Sequence, residues 1–174
     1  MEIIKELRIR EKFTKGFLRG NNVYEIIIHG TGGGSTAEGM FNWMLTGERQ
    51  ERYKQGIGLF HYLIDRQGKI YEIISPEMWV YHSGTGKHDS ETIGIELINT
   101  SSKNLDEFTS KQYESLDFLI DYLLQYYYIE IIEGHGQCQK RLTGIYKQCP
   151  GNFDWNAITP IGFEIKNESL IKIR

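Results

Sequence analysis

Val23-Tyr-Glu-Ile-Ile-Ile28 is a β-branched run that stops at His29 and a cluster of glycines at 30, 32, 33 and 34. A run this apolar, halted by glycine, predicts a buried strand that empties into a loop. Further along the chain, Phe60-His-Tyr-Leu-Ile-Asp65 and Lys69-Ile-Tyr-Glu-Ile-Ile74 flank Arg66-Gln67-Gly68. Two such runs around a glycine-ended turn predict a hairpin. Ile93-Gly-Ile-Glu-Leu-Ile98 predicts a further strand, with Ile93, Ile95 and Leu97 on one face. Gly94 and Glu96 fall on the other, where a neighbour can approach closely.

The clearest helix runs from about 110 to 127. Tyr113, Leu116, Leu119, Ile120, Leu123, Leu124 and Tyr127 recur at three- and four-residue spacing, and Thr109 with Gln112 forms a capping box. Ile129-Glu-Ile-Ile132 then reads as a short strand leading into Gly134-His135. Shorter helices are expected at 37–45 and 49–55. The tail, 161–174, carries strand-like Ile165, Leu170, Ile171 and Ile173 without an evident place. Strands interleaved with helices predict an α/β fold, a single mixed β-sheet flanked by helices. No repeat or linker divides residues 1–174, so one domain is expected.

Composition agrees. A chain of 174 residues, 40% hydrophobic and 25% charged, can bury roughly two-thirds of its unfolded surface, enough to fold as a monomer. Three prolines among so many charges exclude a disordered or proline-rich chain. A net charge of -3 offers no basic stripe for nucleic acid, and no apolar run approaches the ~18 residues of a membrane span. The opening Met-Glu-Ile-Ile-Lys-Glu-Leu-Arg lacks the apolar centre of a signal peptide, so synthesis in the cytoplasm is expected. Cys138 and Cys149 are too few for a disulfide framework, and read as thiols or as one metal ligand and a bystander.

Of five histidines, His29 and His135 differ from His61, His82 and His88 because each follows a β-rich run. Strand ends of such sheets are where ligands gather. Cys149, followed by Pro150 and Gly151, adds a soft donor. Two imidazoles and a thiolate would leave tetrahedral zinc an open fourth position, as catalytic sites do. Spacing alone does not choose this set, and His135-Gly-Gln-Cys138 offers Cys138 as a rival thiolate. The glycines at 30 and 32–34 lack the Gly-Lys-Ser/Thr of a nucleotide loop. His61 reads as a strand histidine packed near the site, His88 as a solvated loop residue, and Tyr126-Tyr127-Tyr128 as helix packing. From the residues alone, Glu96 reads as an exposed strand residue.

Ile26-Ile-Ile-His29-Gly-Thr31, His61-Tyr-Leu-Ile-Asp-Arg-Gln-Gly68-Lys-Ile-Tyr71, Tyr81-His82-Ser-Gly84, Ile93-Gly-Ile-Glu96-Leu, Gly134-His135 and Lys147-Gln-Cys149-Pro-Gly151 occur in that order. The series resembles the type 2 family of zinc-dependent N-acetylmuramoyl-L-alanine amidases, which includes phage lysozymes of the T7 type and peptidoglycan recognition proteins. It covers roughly residues 23–156. The resemblance implies that fold, with zinc on His29, His135 and Cys149. Glu96 falls on the general base of one branch, Lys147 on the lysine two residues before the third ligand, and His82 in the substrate cleft. One block departs: Phe60 stands where T7-type lysozymes carry a catalytic tyrosine, and a phenyl ring cannot hydrogen-bond water or an oxyanion.

The implied reaction cuts the amide joining N-acetylmuramic acid to L-alanine in peptidoglycan or a muropeptide. Without a signal peptide or a wall-binding domain, the chain fits a phage or prophage endolysin that reaches the cell wall after a holin opens the membrane. A cytosolic amidase that recycles wall fragments, and a non-catalytic binding module of the same fold, are the alternatives.

Overall fold

The computed structural model describes residues 1–12, 17–20, 22–46, 51, 59–166 and 168–173. In chain order these form β1 (Ile3–Lys5), α1 (Leu7–Lys12), β2 (Phe17–Leu18), β3 (Glu25–Gly30), α2 (Ala37–Leu45), β4 (Tyr62–Ile64), β5 (Ile70–Glu72) and β6 (Met78–Trp79). There follow α3 (Gly86–Asp89), β7 (Thr92–Leu97), α4 (Ser110–Leu124), β8 (Ile131–Gly134), α5 (His135–Thr143), a 3₁₀ turn (Trp155–Ala157), β9 (Phe163–Ile165) and β10 (Ser169–Lys172). The short helix expected over 49–55 lies outside the described residues apart from Glu51.

Eight strands make one mixed sheet in the order β1-β5-β4-β7-β3-β8-β10-β9, while β2 and β6 pair separately. At its centre β4, β7, β3 and β8 run parallel. The β4–β5 hairpin and the β8–β10–β9 edge are antiparallel. Every residue of β3 is buried, as expected of a parallel strand covered on both faces.

Alternation along the strands separates two chemistries. Ile26, Ile28, Ile93, Ile95, Leu97 and Ile132 share one core with Leu116, Leu119, Ile120 and Leu123 of α4. The register Glu25↔Thr92, Ile27↔Gly94, His29↔Glu96 and Ile27↔Glu133 puts the polar residues together on the opposite face. A second core beside that face joins Met40, Phe41 and Met44 of α2 to Phe60 and Leu63.

The capping box is formed: the Thr109 side chain accepts from the Gln112 N–H, and the Gln112 side chain accepts from the Thr109 N–H. Thr109→Ala should therefore cost about 1 kcal/mol of stability, readable as a shift in the urea midpoint at unchanged slope. The α-helix ends at Leu124, earlier than its periodicity predicts. Tyr127 packs on the core, whereas Tyr126 and Tyr128 in the following turn are 65% and 68% exposed. The tail has a definite place, because β10 pairs with β8 and buries Leu170, covering an edge that would otherwise be open.

Candidate metal centre

His29 is the penultimate residue of β3, Glu96 is its register partner on β7, and His135 opens α5 directly after β8. The carboxyl ends of three neighbouring parallel strands thus converge, the position where open α/β sheets gather ligands. Cys149 arrives from the loop after α5, whose chain turns back so that the Gly136 N–H donates to the Cys149 carbonyl at 2.6 Å. A Cβ on Gly136 would run into the Lys147 carbonyl and lie 2.9 Å from the Tyr146 ring. Only glycine lets this loop rest on the start of α5.

Donor atoms of His29, His135 and Cys149 lie within 4.8 Å of one another. His29 Nδ1 is 3.9 Å from Cys149 Sγ; a tetrahedral zinc at ordinary Zn–N and Zn–S lengths would hold such a pair about 3.6 Å apart. His135 hydrogen-bonds the Ser83 backbone, yet its Nε2 is buried without a partner, a costly state for a polar atom. The Gly30 N–H supports the Cys149 sulfur. Two imidazoles, one of them with an orphaned nitrogen, and one cysteine sulfur suit zinc, and these three residues would hold it.

Electrostatics point the same way. Burial, reinforced by the neighbouring imidazoles and Lys147, holds His29 well below the usual histidine range. Burial and Lys147 bring His135 down to about 4, so both rings are neutral, the form that binds metal. Burial and then Glu96 push the Cys149 thiol up to about 12, and burial raises Glu96 to about 8. Charge is disfavoured on every one of these groups, and a divalent cation is what reverses that penalty for a thiolate and a carboxylate.

Glu96 is only 15% exposed at its side chain and places Oε2 4.0 Å from His29 Nδ1, so it faces the centre and is not the exposed strand residue its position alone suggests. Lys147 is exposed on the loop two residues before Cys149, and its charge reaches both histidines. His82, expected in the substrate cleft, sits buried behind His29. His29 Nε2 lies 3.2 Å from His82 Nδ1, and His82 Nε2 lies 3.0 Å from Thr92 Oγ1. The His82 ring meets His61 edge-on at 5.6 Å. It also fills the space a Cβ on Gly94 would need, 2.8 Å from His82 Nδ1; the glycine in that strand was the one sequence sign of this approach.

Asn104 carries no motif and escaped sequence reasoning. It accepts from the Gly32 N–H at 2.7 Å, donates to the Gly30 carbonyl and accepts from the Asn152 N–H, tying the loop after His29 to the loop after Cys149. Phe60 is buried in the core beside α2. Cys138 is fully buried in a different cluster. His88 is buried too, at 6% exposure, which corrects its reading as a solvated residue.

The sequence profile of the N-acetylmuramoyl-L-alanine amidase family matches residues 19–152. Among solved structures, the chain is similar to the N-acetylmuramoyl-L-alanine amidase LysC from Clostridium intestinale URNW (TM-score 0.62, 20% identity, covering 87% of this chain and 90% of that one). It is also similar to the Ph2119 endolysin from the Thermus scotoductus MAT2119 bacteriophage Ph2119 (0.65, 18%, 89% and 95%). A third is Apis mellifera PGRP-SA (0.60, 19%, 86% and 90%). At these identities the likeness is one of fold. Comparison with curated proteins finds no match. With the profile spanning most of the sequence, from before β3 to beyond Cys149, the chain belongs to the N-acetylmuramoyl-L-alanine amidase family.

Proposed function

We propose that this amidase is zinc-dependent, cuts the bond between N-acetylmuramic acid and L-alanine in peptidoglycan, and serves as a phage or prophage endolysin. The observation that carries the reading is the meeting of His29, His135 and Cys149 beside Glu96. When bound there, zinc supplies Lewis acidity that polarises the scissile carbonyl and acidifies water towards neutral pH. Glu96 takes the proton of the attacking water and returns it to the leaving amine. Lys147, on the exposed loop, stabilises the negative charge that gathers on the carbonyl oxygen. A binding module would need no such donors.

His82 acts through His29. With His29 Nδ1 facing Cys149, its Nε2–H donates to His82 Nδ1, which fixes the tautomer and the plane of the ring. His82→Ala should weaken metal retention and activity about 10–100-fold, measured by competition with a chelator alongside rates at saturating zinc. Unchanged retention would remove the positioning role.

Endolysin and recycling roles separate on substrate. Purified protein should release stem peptides from intact sacculi. Activity confined to soluble anhydro-muropeptides would replace the endolysin reading with recycling. No helix among the described residues is long and apolar enough to cross a membrane.

A further inference from the structure

β3 carries a second cluster at its other end. Glu25, four residues or about 13 Å from His29, is wholly buried, as is Cys138 of α5, and His88 of α3 is buried beside them. One donor atom from each lies within 4.8 Å of the others. His88 Nε2 is 3.2 Å from Glu25 Oε2, yet it is buried with no hydrogen bond formed. Two donors about 2 Å from a tetrahedral ion would sit about 3.3 Å apart. We propose that Glu25, His88 and Cys138 form a second site for zinc or a similar borderline-soft divalent cation, structural where the first is catalytic.

The surroundings support it. Glu133 stands beside Glu25, bridged to it by Arg141, which reaches Glu25 Oε2 at 2.8 Å and Glu133 Oε1 at 2.6 Å. Arg141 thus holds the Glu25 carboxylate in place through its own charge, and three protein donors are what the cluster offers an ion. The Tyr24 hydroxyl lies 3.2 Å from His88 Nδ1, ready to accept from that nitrogen once Nε2 is committed to metal, as outer-shell partners do.

Charge favours occupancy. Two carboxylates and a thiolate are balanced by a divalent ion together with Arg141. Binding releases the Cys138 thiol proton to solvent. An ion here would tie α3 and α5 to the start of β3.

Cys149→Ser protein retains Cys138 as its sole thiol, which makes it the probe. Titrated with Co²⁺, it should develop a thiolate-to-cobalt charge-transfer band and a raised Tm, and adding His88→Asn should abolish the band. Absence of the band, or a band that persists with His88→Asn, overturns the site. In the unmutated enzyme, His88→Asn should lower zinc by one equivalent and leave hydrolysis unchanged. Loss of hydrolysis with Cys149→Ser speaks only to the catalytic centre, so the two readings fail separately.

Discussion

Cys149→Ala should lose one equivalent of zinc and with it hydrolysis of purified walls, by more than about 100-fold. That bound follows because even outer-shell partners of metal ligands cost about 10–100-fold when removed, and Cys149 is a direct donor. The sulfur is the one anionic ligand of the set. Without it two neutral imidazoles face the ion in a pocket whose burial already disfavours charge. The fold should survive: Cys149 lies in a loop, and the Gly136 and Asn152 N–H bonds that hold this stretch run to backbone carbonyls. Circular dichroism, zinc per chain and stem-peptide release measured together check this. Full activity in a variant lacking that zinc would refute metal dependence.

Glu96→Gln should behave differently, keeping zinc while turnover falls about 10²–10⁴-fold, the range associated with a positioned general base. Parallel pairing of His29 with Glu96 fixes the carboxyl beside the centre, and an amide of the same shape preserves the packing but cannot take a proton. The loss should fall on kcat, with KM little changed. A variant that loses zinc as well would make Glu96 a ligand, and one with unaltered kcat would remove it from the mechanism.

Much of this fold was legible because its strands are local signals: β-branched runs with glycine stops can be read without knowing their neighbours. Their ends could not. β3 runs on to include His29 and Gly30, and β8 begins at Ile131, because hydrogen bonds to β7 and β3 decide where a strand stops. The tail stayed unplaced for the same reason, since its partner is the open edge of β8. Tyr126 and Tyr128 continue a helical spacing that the chain abandons at Leu124.

The site divides similarly. Order of motifs singled out His29, His135, Cys149, Glu96 and Lys147, and the sheet brings the first four together with Lys147 beside them. Residues whose meaning lies in a distant partner were misread or missed. His88 looks like a loop residue until Glu25 is placed against it. His82, expected in the cleft, also stands against His29, a contact its motif does not announce. Asn104 is silent until two loops meet on it.

The most direct test is an anomalous difference map collected at the zinc edge from crystals of the zinc-loaded enzyme. A peak within bonding distance of His29, His135 and Cys149, with Glu96 alongside but outside its coordination sphere, is the expected result. An active enzyme whose map shows no peak among those three residues would contradict the account.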